Sequence, residues 1–125
     1  MDNDPDSATP ILICGLLATD IVFDVTAIPK NAIKYRANNV SLSCGGGGCY
    51  AAIAIKRLGG IASIFARVGD DDFGKLILTT LNDEGIDCTN VSAHTDIKTP
   101  VSSIAIDSQG ERPVSYTHLT LPTKA

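Results

Sequence analysis

The sequence has no tryptophan, few other aromatic residues and no excess of basic charge. Its 125 residues include one Met and 5% aromatic residues, and 10 Lys and Arg stand against 14 Asp and Glu for a net charge of -4. Proteins that bind a phosphate backbone carry clustered Lys and Arg, and this chain has no basic run. We therefore expect no nucleic-acid partner.

The sequence also lacks a long hydrophobic run and a basic export signal. The apolar run at residues 11–18 is far shorter than the roughly 20 residues that cross a bilayer. The first six residues carry acids, whereas the start of a signal peptide is basic. We expect a cytoplasmic protein with no membrane partner, in which residues 1–9 form a disordered leader before the folded domain.

No metal-binding motif joins the four cysteines. Cys14, Cys44, Cys49 and Cys88 form no CxxC pair and have no histidine at the spacing of a zinc site. We expect them to be free thiols and predict no metal site. Because Cys14 lies within an apolar run, where a thiol behaves as a small hydrophobic group, we expect it to be buried.

Four consecutive glycines, residues 45–48, precede an apolar segment that ends at Gly59 and Gly60. This segment predicts a helix with apolar residues on nearly all sides, and therefore a helix covered almost all round. Glycine allows close approach of a ligand to the backbone, and the first N–H groups of a helix attract polar groups. A polar ligand site and a tight packing turn both use such glycines, so the pattern leaves both open.

Strand and helix patterns alternate along the chain. Residues 11–17 predict a strand buried on both faces of a parallel or mixed sheet. Residues 61–68 predict another strand, and helical spacing follows from Phe73 until Gly85. Alternating polarity at 35–43 and 98–107, with a turn at 108–110, predicts a small antiparallel flap. This order favours an α/β layered fold.

Three consecutive acids, Asp70 to Asp72, precede the second predicted helix. A metal or acid–base site is one interpretation of such a group. Capping of the helix is the simpler one, since an aspartate at this position accepts hydrogen bonds from the free N–H groups of the first turn.

Four features in one order resemble the N-terminal half of a carbohydrate kinase of the ribokinase (PfkB) family. They are Gly15 with Asp20, the glycine-helix block from Gly45 to Gly59, the Val-Gly-Asp-Asp-Asp-Phe-Gly stretch at 68–74, and the Asp-Ser-Gln-Gly-Glu-Arg stretch at 107–112. The resemblance covers residues 10–113. Within the family, residues 34–37 resemble the branch that includes sulfofructose kinase.

The resemblance implies a ribokinase-like fold, which is a Rossmann-like three-layer sheet with a small β lid, here truncated. It implies transfer of the γ-phosphoryl group of ATP to a sugar hydroxyl, with ATP and Mg²⁺ as cofactors of the full-length enzyme. The catalytic aspartate and the anion hole belong to a C-terminal half without a counterpart here. We therefore expect an inactive fragment with no catalytic residue and no bound cofactor, and a homodimer through the lid when full-length.

The resemblance also implies which residues bind the sugar. Asp20 matches the acid that binds sugar hydroxyls, and Gly45 and Gly46 match glycines that bring backbone amides to the sugar. Tyr50 stands where the family usually has a sugar-binding Asn, so its ring either stacks on the sugar or blocks it. The physical chemistry agrees, because a carboxylate accepts hydrogen bonds from hydroxyls and amides donate in return.

The last residues have a different resemblance. Residues 114–123 are similar to the conceptual translation of an adapter used in sequencing libraries. We expect residues 114–125, including His118, to be an artefactual tail without function. The alternation of Val114 and Tyr116 with polar residues also suits a genuine strand.

Two other functions remain open from the sequence. Gly45 and Gly47 ahead of a helix, with acids at 70–72, also fit a dinucleotide-binding oxidoreductase domain. Against that interpretation, Tyr50 occupies the place of the third glycine. A non-catalytic sugar-binding module would keep the sugar site and lack the catalytic half.

Overall fold

The computed structural model describes residues 9–118, which form seven strands and two helices. In chain order they are β1 (Ile11–Cys14), β2 (Ala18–Asp24), β3 (Asn39–Gly45), α1 (Gly47–Arg57), β4 (Ala62–Gly69), α2 (Asp72–Asp83), β5 (Asp87–His94), β6 (Val101–Ile106) and β7 (Val114–Tyr116). The strands form two sheets. No helix in the described part of the chain has the length and apolar character needed to cross a membrane.

The first sheet is parallel and has the order β1-β4-β5. Both helices contribute to the core on one of its faces, where the alternate residues of β4 are buried. This core contains Leu17, Cys44, Cys49, Ala52, Ala62, Ile64, Ala66, Val68, Ile77, Leu81 and Ile86. The arrangement is the α/β layering that the strand and helix order predicts.

The prediction that residues 11–17 form a strand buried on both faces is wrong for the described chain. Ile13 packs against the core, but Leu12 is 55% exposed and Cys14 is also exposed. Cys14 pairs with Phe65, which is exposed as well. The described helices cover only one face of this sheet, so side chains that alternate along β1 alternate between core and solvent.

Helix α1 is also less buried than its composition predicts. Cys49 and Ala52 are fully buried, whereas Tyr50, Ala51 and Leu58 are exposed. The helix therefore packs through one face, and the expectation of a helix covered almost all round is wrong. Its predicted end is confirmed, since Gly59 has a φ of 88° and its N–H donates to the carbonyl of Lys56 at 3.0 Å.

The second sheet has the order β3-β2-β6-β7 and contains both segments of the predicted flap, but it is a mixed sheet and not the predicted antiparallel one. Strand β2 is antiparallel to β3 and parallel to β6, and β6 is antiparallel to β7. Residues 107–113 connect β6 to β7, which confirms the predicted hairpin. Strand β2 starts at Ala18, so residues 18–24 belong to this sheet.

The two ends of the chain bear on the expected leader and tail. Residues 1–8 and 119–125 lie outside the described residues. Within the expected tail, Val114 pairs with Ile104, and the N–H of Thr117 donates to the carbonyl of Val101 at 2.9 Å. The ring Nε2 of His118 lies 2.9 Å from the carbonyl oxygen of Lys98. The segment thus forms a strand, while its origin as adapter sequence stays a prediction.

Candidate functional site

Asp20 is the third residue of β2, where it lies between β3 and β6. Its carboxylate accepts two hydrogen bonds from hydroxyl groups. The Tyr50 hydroxyl donates to Oδ2 at 2.8 Å, and the Ser102 hydroxyl donates to Oδ1 at 2.6 Å. Asp20 is only 7% exposed. The chain leaves β1 after Cys14 and enters β2 at Ala18 before it reaches Asp20.

The glycine loop lies directly against this carboxylate. A Cβ atom on Gly45 would overlap the Asp20 side chain, so the residue opposite Ala18 in the β2–β3 pair has to be glycine. Gly46 has a φ of 89°, and a Cβ there would overlap the carbonyl of Leu16. Close approach within the protein therefore explains both glycines, and the packing role is real whether or not a ligand also binds.

Helix α1 starts at the other end of the glycine loop. The N–H of Gly48 donates to the carbonyl of Leu16 at 3.0 Å, and the N–H of Tyr50 donates to the carbonyl of Gly46 at 3.1 Å. Gly47 is exposed, and the space where its Cβ would lie is open. The positive end of the helix dipole is therefore exposed to solvent at the first turn of α1.

The sequence-predicted residues come together in one place. Gly45 and Tyr50 both lie against Asp20, and Gly46 continues the glycine loop. The hydrogen bond to Asp20 raises the pKa of Tyr50 to about 12, and partial burial acts in the same direction. The phenol therefore stays a hydrogen-bond donor at neutral pH.

Sequence reasoning missed Ser102. Its side chain is fully buried, and β6 places it directly opposite Asp20 in the parallel pair. Within residues 98–107 it is one serine of an alternating segment, so no local signal separates it from its neighbour Ser103. Only the pairing of β2 with β6 identifies it.

Two buried thiols flank the glycine loop. Cys44 is the next-to-last residue of β3, and Cys49 lies in the first turn of α1. The interaction between the two thiols raises the pKa of Cys44 and lowers the pKa of Cys49, while burial acts to raise both. All four cysteines are free thiols.

The acidic trio before α2 has a structural role through Asp71. Its carboxylate accepts hydrogen bonds from the N–H of Gly74 at 2.8 Å and from the N–H and hydroxyl of Thr99 at 3.0 and 2.7 Å. Asp71 is the N-cap of α2, as the capping interpretation predicts. Asp70 and Asp72 are exposed. Among residues 9–118, no three His, Cys, Asp or Glu side chains come together to hold a metal ion.

A cavity of about 760 Å³ lies on the open face of the first sheet. The loop of Gly15, Leu16 and Leu17 lines one side, and Phe65 and Lys98 contribute to the rest. Asp20 does not line this cavity. The glycine loop contacts the same segment, since the N–H of Gly48 donates to the carbonyl of Leu16. Residues 15–17 therefore contact both the cavity and the glycine loop.

The sequence of this chain is similar to those of known proteins. The pfkB family of carbohydrate kinases matches residues 8–118. The fructokinase of Escherichia coli is 39% identical over 83 residues, which are 66% of this chain and 26% of that protein.

Solved structures show the same fold. A protein from Agrobacterium tumefaciens that is assigned as a ribokinase superposes with a TM-score of 0.84 at 32% identity, over 90% of this chain and 37% of that one. The Arabidopsis thaliana ribokinase solved with ribose and ATP has a TM-score of 0.75 at 24% identity, over 88% of this chain and 36% of that one. This confirms the ribokinase-like α/β fold.

The pairing of β3 argues against the dinucleotide-binding interpretation of the glycine loop. The strand before the loop, β3, is antiparallel to β2, whereas a dinucleotide-binding loop follows a strand of a parallel sheet. The chain spans only about a quarter to two fifths of the length of the relatives described above. Because the family match extends over residues 8–118, the chain belongs to the pfkB family of carbohydrate kinases.

Proposed function

We propose that this chain is the N-terminal part of an ATP-dependent sugar kinase and that Asp20 binds a sugar hydroxyl. The observation that supports this is the pair of hydroxyl donors on Asp20, at 2.8 and 2.6 Å. A carboxylate that accepts from two hydroxyls in the free protein has the geometry to accept from a polyol. The family membership supplies the reaction class, which is phosphoryl transfer to a sugar hydroxyl.

The rest of the machinery belongs to the remainder of the full-length protein. Phosphoryl transfer depends on positioning and on charge stabilisation of the transferred group. We propose that ATP and Mg²⁺ bind mainly to residues beyond those described here and that the 125-residue fragment is inactive by itself. We further propose that the enzyme acts in the cytoplasm.

The substrate class proposed here is a monosaccharide or a simple derivative of one. The relatives named above are a fructokinase and two proteins assigned as ribokinases, which supports a ketose or a pentose. Tyr50 at the position of the usual Asn changes the contacts available at Asp20. The assignment of residues 34–37 to the sulfofructose kinase branch stays a prediction.

Replacement of Asp20 tests the proposal. In the full-length protein, Asp20→Asn replaces one acceptor oxygen of the carboxylate by an NH2 group and removes the charge. We expect sugar affinity to fall by about tenfold to a hundredfold, because one or two hydrogen bonds to a charged group are lost. The measurement is ATP-dependent phosphorylation of D-fructose and D-ribose, with sugar binding by calorimetry. Asp83→Asn, an exposed change at the end of α2, is the matched control.

The outcomes separate the candidate functions. Phosphorylation by the parent protein with loss in Asp20→Asn supports the kinase and the site. Sugar binding without phosphorylation would favour the non-catalytic module. Unchanged sugar affinity in Asp20→Asn would remove Asp20 from the site.

We also propose a homodimer formed through the second sheet. Val40 and Leu42 are 55% and 56% exposed, and they pair across the strands with Phe23 and Ile21 on the same face. An exposed apolar sheet face of this kind suits an isologous interface. We expect full-length protein to sediment as a dimer and Leu42→Asp to sediment as a monomer, and an unchanged mass in the variant would contradict this interface.

A further inference from the structure

The two hydroxyl groups that hold Asp20 differ in their freedom to move. Ser102 is fully buried on β6, where its backbone is paired with β2 on one side and β7 on the other. Tyr50 lies in the first turn of α1 and is 58% exposed. A half-exposed tyrosine can rotate into solvent about its side-chain torsions, whereas a buried serine between two paired strands cannot leave its partner.

The burial of Asp20 makes this difference important. Only 7% of Asp20 is exposed while the Tyr50 hydroxyl is bound to Oδ2. Gly45 covers the same carboxylate from the backbone side, so closely that a Cβ atom there would overlap it. Ser102 holds Oδ1 from β6. Of the three groups that cover the carboxylate, Tyr50 alone has solvent on its outer side.

We propose that Tyr50 is a gate, in which its hydroxyl occupies the place on Asp20 Oδ2 that a substrate hydroxyl takes, so that sugar binding requires Tyr50 to swing away. This inference rests on the proposed sugar site. The phenol donates to the carboxylate as a sugar hydroxyl would, so the exchange replaces one hydroxyl donor by another. The free site thereby avoids an unsatisfied buried carboxylate.

The gate has a consequence for selectivity. A ligand gains little at Oδ2 unless it supplies a hydroxyl of its own, because an apolar ligand that displaced Tyr50 would leave Oδ2 without a donor. Ser102 keeps Oδ1 in place and acts as a positioning residue. The Tyr50 hydroxyl should therefore weaken sugar binding, while the Ser102 hydroxyl should strengthen it.

The test compares two variants that each remove one hydroxyl from Asp20. Sugar affinity is measured by calorimetry on full-length protein with D-fructose and D-ribose as probes, in the parent, Tyr50→Phe and Ser102→Ala. We expect Tyr50→Phe to lower the Kd about tenfold, because the competing hydrogen bond is lost, and Ser102→Ala to raise it. In the kinase assay the KM of Tyr50→Phe should fall in parallel with little change in kcat.

Tyr50→Ala distinguishes the gate from a stacking platform. If Tyr50 is a gate, its removal also lowers the Kd. If the ring stacks on the sugar, Tyr50→Phe leaves the Kd unchanged and Tyr50→Ala raises it, and the gate is overturned. A raised Kd in Tyr50→Phe would mean that the phenol itself binds the sugar, which also overturns it.

The same measurements keep this inference separate from the proposed function. If the parent binds sugar and Tyr50→Phe has the same Kd, the gate is overturned while the proposed sugar site is not. Binding in Tyr50→Phe but not in the parent supports both the gate and the sugar site. Absence of binding in the parent and in every variant, with both probes, overturns both.

Discussion

Asp20 and Asp71 both accept a hydrogen bond from a buried hydroxyl near the start of β6, yet the two carboxylates are held in different ways. Ser102 donates to Asp20 at 2.6 Å, and Thr99 donates to Asp71 at 2.7 Å. The other donors to Asp71 are the backbone N–H groups of Thr99 and Gly74. The second donor to Asp20 is the exposed side chain of Tyr50.

The type of donor decides what each carboxylate can do. Backbone N–H groups cannot leave Asp71 without unwinding the start of α2 or moving the segment before β6, so Asp71 fixes that junction. A phenol hydroxyl can leave Asp20 by rotation of one side chain. Asp71 is thus tied to the backbone and serves the fold, whereas Asp20 is covered by a side chain that can move, as the proposed ligand role requires.

Replacement of Asp71 should have the largest effect on stability. Asp71→Ala removes the N-cap of α2 and leaves the buried Thr99 N–H without its acceptor, and together these losses amount to about 3 kcal/mol of the free energy of unfolding. Urea denaturation of the full-length protein measures this. Asp70→Ala, an exposed neighbour, is the control and should change little.

The same contacts give a dependence on pH. Burial acts to raise the pKa of Asp71, but hydrogen bonds from Thr99 and Gly74 and the nearby Lys98 outweigh it, so the pKa lies below its ordinary 3.8. A carboxyl with a depressed pKa in the folded state stabilises the fold above its unfolded pKa, and this contribution is lost as the pH falls through the folded value. The free energy of unfolding should therefore fall as the pH drops from the unfolded pKa to the folded pKa of Asp71. It should fall by less in Asp71→Ala. Equal acid sensitivity in the parent and the variant would contradict the role of these hydrogen bonds.

A smaller and more local effect is expected at the glycine loop. Gly45→Ala forces its Cβ against the Asp20 carboxylate, and the overlap should cost about 1–3 kcal/mol of stability and also weaken sugar binding. Gly47→Ala is the matched control, since that Cβ would enter open space. Denaturation and sugar calorimetry on both variants give the result. Equal behaviour of the two would show that Gly45 is not held against Asp20.

Local sequence patterns predicted much of the fold because their signals depend on near neighbours. The N-cap at Asp71 and the end of α1 at Gly59 follow from backbone groups within one turn of each residue. The four consecutive glycines identified the loop directly, whereas its link to Asp20 followed from the resemblance to the carbohydrate kinase family. The burial of β1 on a single face could not be predicted, because it depends on which elements cover the sheet.

The sequence by itself determined the alternation of strands and helices, the acidic cap of α2, the glycine end of α1 and the placement of Asp20, the glycines and Tyr50 in one candidate site. Tertiary structure alone decided that Ser102 meets Asp20, 82 residues away, since the β2–β6 pairing sets that register. It also decided that the Tyr50 hydroxyl reaches the same carboxylate, because the angle at which α1 leaves the glycine loop depends on packing against the first sheet. Periodicity identifies the face of a strand or helix, but contacts between distant elements are fixed only when the sheets and helices pack together.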